Sequence, residues 1–157
     1  MLFRSVVPNP KLREEFYRWM DVNELNSPTI FATKSAIAAY AKGGEWRAGM
    51  LEYIERNVLF VEKRLKGLKF NDVELITPIR PEFSFLIWLD CRELCRALGL
   101  DQNGLVKLFV DDAGLALNDG ATFGPGGEGF MRLNAGTSVK VLEKAMTRLE
   151  EAVRTRL

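Results

Sequence analysis

Arg132 and Asn134 stand two apart in the run Phe130-Met131-Arg132-Leu133-Asn134, behind a segment with five of the thirteen glycines: Gly120, Gly124, Gly126, Gly127 and Gly129. In a strand, alternate side chains point to opposite faces. Phe130, Arg132 and Asn134 then share one face, while Met131 and Leu133 pack on the other. A flexible loop delivers a guanidinium beside an amide, with little bulk in front of them. That arrangement suits a small carboxylate, because the planar fork of arginine binds both oxygens at once. The same residues also describe an ordinary Gly-rich turn entering an edge strand, with a solvated arginine that contributes little. Local physics alone favours the second reading.

Few other residues offer chemistry. Cys91 and Cys95 are four apart, so on a helix they share a face. The chain has no histidine and no second cysteine pair, so a zinc site lacks its other ligands and no metal is expected. The two cysteines read as reduced, partly buried thiols. Without an imidazole base, histidine-dependent serine or cysteine triads are excluded. Proton chemistry is left to Lys, Asp, Glu, Tyr or a cofactor.

The 157 residues fit one domain, or one domain with an appendage. Composition is that of a globular protein, 47% apolar and 27% charged. A formal net charge of +1 points to neither nucleic acid nor an anionic membrane. No apolar run approaches the ~20 residues needed to span a bilayer. The opening MLFRSVVPNP is too soon broken by proline to read as a secretion signal, so a cytoplasmic protein is expected.

The elements that must position these residues follow from periodicity. Leu2–Val7 reads as a short buried strand. Asn9 and Pro10 start a helix to about Met20, and Asn26-Ser27-Pro28 starts another to Lys42, stopped by Gly43-Gly44. Glu45–Leu68 carries the clearest stripe: Leu51, Ile54, Val58, Val61, Leu65 and Leu68 in steps of three and four. Val73–Ile76 reads as a strand, broken by Pro78 and Pro81, and Phe83–Leu89 as a strand buried on both faces. Short helices follow at Arg92–Leu98 and Gln102–Asp111. Ala113–Leu117 reads as a strand closed by an Asn118-Asp119-Gly120 turn. After the Gly-rich run, Thr137 or Ser138 caps a last helix to about Arg154, with its stripe at Val139, Leu142, Met146, Leu149 and Val153. Short strands with helices on one face give an α+β layer.

Four segments occur in one order: VPNPKLREEF (Val7–Phe16), AAYAKGGEWRAGMLEYIERN (Ala38–Asn57), FLIWLDCREL (Phe85–Leu94) and DGATFGPGGEGFMRLN (Asp119–Asn134). Together they closely resemble the C-terminal part of fold-type I pyridoxal-phosphate enzymes. The best likeness is to the cystathionine β-lyase, or carbon–sulfur β-lyase, branch of the class I/II aminotransferase superfamily. The resemblance implies a small C-terminal domain at 45–157, with a short, mostly antiparallel sheet and a long connector helix, after a remnant of the large domain at 1–44. It also implies that Arg132 binds the α-carboxylate of a small amino-acid substrate, supported by Asn134, and that the Gly124–Gly129 loop, with Gly124 and Gly127, lines the substrate entrance. A homodimer is implied for the complete enzyme.

By the same resemblance, the lysine that binds the cofactor lies upstream of the segment matching VVPNP. This chain therefore carries neither catalytic nor cofactor-binding residues, and Lys34 reads as a solvated helix lysine. Phe83, Ser84 and Phe85 stand where relatives carry Gly-Thr-Tyr. The expected function is a fragment of a lyase cleaving cystathionine or cysteine S-conjugates to pyruvate, ammonia and a thiol. The alternatives are a fragment of an aminotransferase, and a catalytically inactive product or binding module.

Overall fold

The structure, a computed structural model, describes residues 6–27 and 29–157. It divides into two units, 1–47 and 48–157.

The first unit contains helices α1 (Pro10–Val22) and α2 (Ile30–Lys42). Asn9 caps α1, its Oδ1 accepting from the amides of Lys11 and Leu12 at 3.0 and 3.2 Å, with Pro10 at the first helical position. Thr29 caps α2 by accepting from Ala32, so this helix starts two residues later than the Asn-Ser-Pro signal predicts. Gly43 ends it. Neither helix buries a residue; Trp19, Phe31 and Tyr40 are exposed. The predicted Leu2–Val7 strand lies mostly outside the described residues, and its described part, Val6–Val7, has no regular structure.

Helix α3 (Gly44–Lys66) carries the long stripe into the second unit, burying Asn57, Val58, Val61 and Leu65. Leu51 stays exposed and Ile54 is partly buried, so the stripe is covered only over its second half. A two-stranded ribbon of β1 (Lys69–Phe70) and β2 (Val73–Glu74) follows. The main sheet has the order β3-β4-β6-β5, from β3 (Thr77–Ile79), β4 (Leu86–Asp90), β6 (Phe130–Asn134) and β5 (Asn118–Asp119), all antiparallel. Helices α4 (Arg92–Leu98), α5 (Gln102–Lys107) and α6 (Val139–Arg156) complete the unit.

The core lies on one face of this sheet. Ile87, Leu89, Met131 and Leu133 pack with Leu65, Phe109, Met146 and Leu149. The α6 stripe is buried at Leu142, Met146, Leu149 and Val153, as its spacing predicts. Asn57 is the exception among these apolar side chains. Its Nδ2 donates to the carbonyls of Ala135 and Thr137, both at 2.8 Å, and ties α3 to the chain leaving β6.

Several expectations are corrected. Pro78 lies within β3 rather than breaking it, because β3 is an edge strand and a proline there forfeits no inner ladder bond. β4 is buried on one face only, alternating Ile87 and Leu89 inward with Trp88 half-buried on the other side. Its start is set at Leu86, after Ser84 at φ +72°. Ala113–Leu117 is not a strand. α5 widens into a π-helical turn at Leu108–Asp112; the Ala113 and Leu115 amides then close back on the Leu108 and Phe109 carbonyls, around Gly114 at φ +64°. The strand comes afterwards, at Asn118–Asp119, where a turn is expected. Ser138 sits at the α6 cap position, but its hydroxyl makes no capping bond; the Tyr53 hydroxyl accepts from the Val139 amide at 2.9 Å instead.

Candidate functional site

β6 is an inner strand, so Arg132 is not the solvated residue of an edge. Across the ladder its partners are Trp88 on β4 and Asn118 on β5. All three belong to the face opposite the core. Arg132 Nη2 donates to Asn118 Oδ1 at 3.0 Å. The guanidinium carbon lies 4.4 Å from the centroid of the Phe123 ring, a cation–π contact. Phe123 meets Trp88 edge-on at 5.5 Å, Trp88 stacks on Phe130 at 5.6 Å, and Arg92 covers the far side of Phe130 at 5.1 Å. A row of three aromatic rings is thus flanked by two cations, with Arg132 at the end beside the Gly-rich loop.

Arg132 differs from the paired arginines around it. Arg64 bonds Glu150 at 2.7 Å, Arg92 bonds Asp90 at 2.6 Å, Arg156 bonds Asp112 at 2.5 Å, and Arg80 and Arg96 also face carboxylates. Among the described residues no carboxylate pairs with Arg132. Its Nε–H is out of contact with water and has no acceptor. A buried charged donor without a partner is a rare state, and an acceptor from outside the chain is one way to satisfy it.

The Gly-rich loop is fixed at both ends. Gln102 donates to Asp119 Oδ1 at 2.5 Å and accepts from the Gly129 amide at 2.6 Å. Asp119 Oδ1 also accepts from Ala121, starting the 3-10 turn Gly120–Phe123 that presents Phe123. Gly120 and Gly127 touch backbone to backbone: a Cβ on Gly127 would lie 2.1 Å from the Gly120 carbonyl oxygen. Gly127 therefore holds the loop closed from inside. Gly124 has open space around it and φ +111°, a conformation that side chains rarely adopt. Gly127→Ala is expected to destabilise the chain by about 1–3 kcal/mol, since two backbones must separate. Urea unfolding of the variant checks this, and a midpoint equal to that of the parent would contradict it.

Asn134 shares the strand face with Arg132, but its Oδ1 accepts from the Gly136 amide at 2.8 Å and shapes the exit of β6. Asn118, Phe123, Trp88 and Gln102 are not among the residues singled out by sequence. Phe123 could have been found from its place inside the Gly-rich run, whereas Trp88 stands in an unbroken apolar run that carries no such signal. Cys91 is buried and Cys95 partly so; burial pushes both thiols up, Cys91 strongly, which leaves them unreactive near neutrality. Arg92, hydrogen-bonded to Asp90, holds that carboxyl below its ordinary value. No three-residue metal-binding cluster exists among the described residues, and no described helix is long and apolar enough to cross a membrane.

No family model matches the chain. It is 34% identical over 148 residues to the cystathionine beta-lyase PatB of Bacillus subtilis (strain 168), covering 94% of this chain and 36% of PatB. Its fold superposes on cystalysin from Treponema denticola, whose crystal structure contains a pyridoxal 5'-phosphate cofactor, with TM-score 0.79 and 25% identity over 96% of this chain. The chain is homologous to the C-terminal part of the cystathionine β-lyases. An aromatic aminotransferase from Pyrococcus horikoshii OT3 also superposes, with TM-score 0.74 and 26% identity over 91% of this chain. The chain spans 36% of the length of PatB, of cystalysin and of this aminotransferase. The mixed helix and antiparallel-sheet architecture is that of the C-terminal domain in these pyridoxal-phosphate enzymes.

The described residues fit one part of such chemistry. An uncompensated guanidinium beside an aromatic wall fits a substrate's carboxylate. The covalent anchoring of the cofactor's aldehyde needs a lysine held in a pocket. All nine lysines, Lys34 included, are exposed.

Proposed function

We propose that the chain is the C-terminal part of a pyridoxal-phosphate-dependent carbon–sulfur β-lyase, in which Arg132 holds the α-carboxylate of cystathionine or of a cysteine S-conjugate. The cofactor supplies the electron sink for such chemistry. Residues of this chain would bind and orient. Arg132 fixes the carboxylate through its fork, Phe123 and Trp88 wall the site, and the loop from Gly124 to Gly129 lines its entrance. Asn134 sets the backbone on which Arg132 sits. The reaction, with water, gives pyruvate, ammonia and a thiol.

The observation that carries this reading is a half-buried arginine with an unpaired charge and an orphaned Nε–H, held at the mouth of a fixed glycine loop. Residues 1–44, whose described side chains include no buried one, are read as a piece of a larger cofactor-binding domain, and 45–157 as the small domain. The exposed lysines support a 157-residue chain that is inactive by itself. The complete enzyme would work as a cytoplasmic homodimer. Similarity to aminotransferases supports a second reading, amino-group transfer on the same carboxylate site.

The test is a chimera joining the N-terminal part of PatB to this chain. Given cystathionine with pyridoxal phosphate, it should release pyruvate and thiol in equal amounts. Formation of a new amino acid from an added keto acid, without thiol release, would replace the lyase reading by the aminotransferase one.

A further inference from the structure

We propose that Asn118 is the positioning residue of the carboxylate site: a neutral pin that aims the Arg132 guanidinium without cancelling its charge. The inference rests on the reading of Arg132 as an anion-binding residue and names what that reading leaves unassigned.

The strand register brings the two together. Asn118 and Arg132 are cross-strand partners of β5 and β6, so their side chains rise from adjacent points on the same face. An arginine side chain has four rotatable bonds and about 2 kcal/mol of rotamer entropy to lose. Two contacts hold it here. The guanidinium carbon sits over the Phe123 ring, 4.4 Å from its centroid, which limits its swing, and the 3.0 Å bond from Nη2 to Asn118 Oδ1 limits its rotation. The ring contact alone would leave the fork free to turn.

The chemistry of the pin matters as much as its geometry. Arg64 and Arg92, also on this unit, are held by Glu150 and Asp90. A carboxylate orients an arginine well, but it occupies the charge that a ligand would use. An amide oxygen accepts one hydrogen bond and leaves the full positive charge in place. Replacing Asn118 by Asp would therefore keep the geometry and spoil the site. Asn118 is itself exposed on a two-residue edge strand, so its substitution should not threaten folding.

The experiment uses side-chain nitrogen NMR on the 157-residue chain, with sodium acetate as the probe. In the parent, the Arg132 Nε–H should exchange slowly, and acetate should shift its resonance. Asn118→Ala should speed that exchange and weaken acetate binding about three- to tenfold, since a fork free to turn meets the anion less often in the right orientation. Asn118→Asp should restore slow exchange yet bind acetate more weakly than Asn118→Ala. That split between geometry and binding is one that a merely structural role for Asn118 would not produce. If acetate shifts Arg132 equally in the parent and in both variants, the pin is overturned while the carboxylate reading stands. If acetate leaves Arg132 unmoved in the parent as well, both are overturned.

Discussion

Arg132→Ala, in an enzyme completed with the N-terminal part of PatB, is expected to lower kcat/KM for amino-acid substrates by about a hundredfold or more. Each charge-assisted hydrogen bond contributes about 1.5–3 kcal/mol, and the fork makes two. Each 1.4 kcal/mol is a factor of ten, so losing both bonds reaches this range. Arg132→Lys separates charge from shape: a lysine restores the cation but not the planar fork, and should recover only part of the loss. The guanidinium also sits over Phe123, so alanine loosens the aromatic wall as well as removing the charge. Steady-state kinetics on the three proteins decide the matter. Equal kcat/KM in all three would remove Arg132 from the site.

Asn57→Leu should have the largest effect on folding, about 2–4 kcal/mol. Asn57 is 1% exposed among apolar neighbours, and its amide serves two carbonyls, those of Ala135 and Thr137. Leucine fills the space but leaves both acceptors unpaired, at about 1–3 kcal/mol for each buried group. Both carbonyls belong to the segment between β6 and α6, so the loss should free the strand end that carries Arg132. Urea unfolding of the 157-residue chain measures it. The expected result is a lower midpoint with an unchanged slope, since a slope change would signal altered compactness rather than stability. A variant as stable as the parent would show that these bonds are replaceable by water.

Residues whose burial follows a simple period are legible in the sequence. The α6 stripe from Leu142 to Val153 and the inward pair Met131 and Leu133 fall where spacing puts them, because a helix or strand can bury only one side. Arg132 was legible for the same reason, being out of phase with Met131 and Leu133. Residues whose place depends on distant partners were harder to read. Pro78 looks like a breaker until β3 is known to be an edge. Asn118 looks like a turn residue until β5 is paired with β6.

Asn57 stands three after Ile54 and four before Val61, within the α3 stripe. A buried polar side chain in an apolar stripe signals a tertiary hydrogen bond, but sequence does not say to what. The Tyr53 hydroxyl that replaces Ser138 at the start of α6 is similar: the need for a cap is local, and its supplier comes from another helix. Family likeness pointed to Arg132 more sharply than periodicity did. The contacts of Asn118 and Phe123 with Arg132, and of Gln102 with the Gly-rich loop, emerge only from the fold.

The most direct measurement is a crystal structure of the PatB chimera with a substrate-like amino acid bound. Both carboxylate oxygens should lie within about 2.7–2.9 Å of the Arg132 guanidinium nitrogens, with Asn118 still bonded to Nη2 and Phe123 beside the fork. A carboxylate seated on another cation, with the Arg132 fork empty, would contradict this role for Arg132.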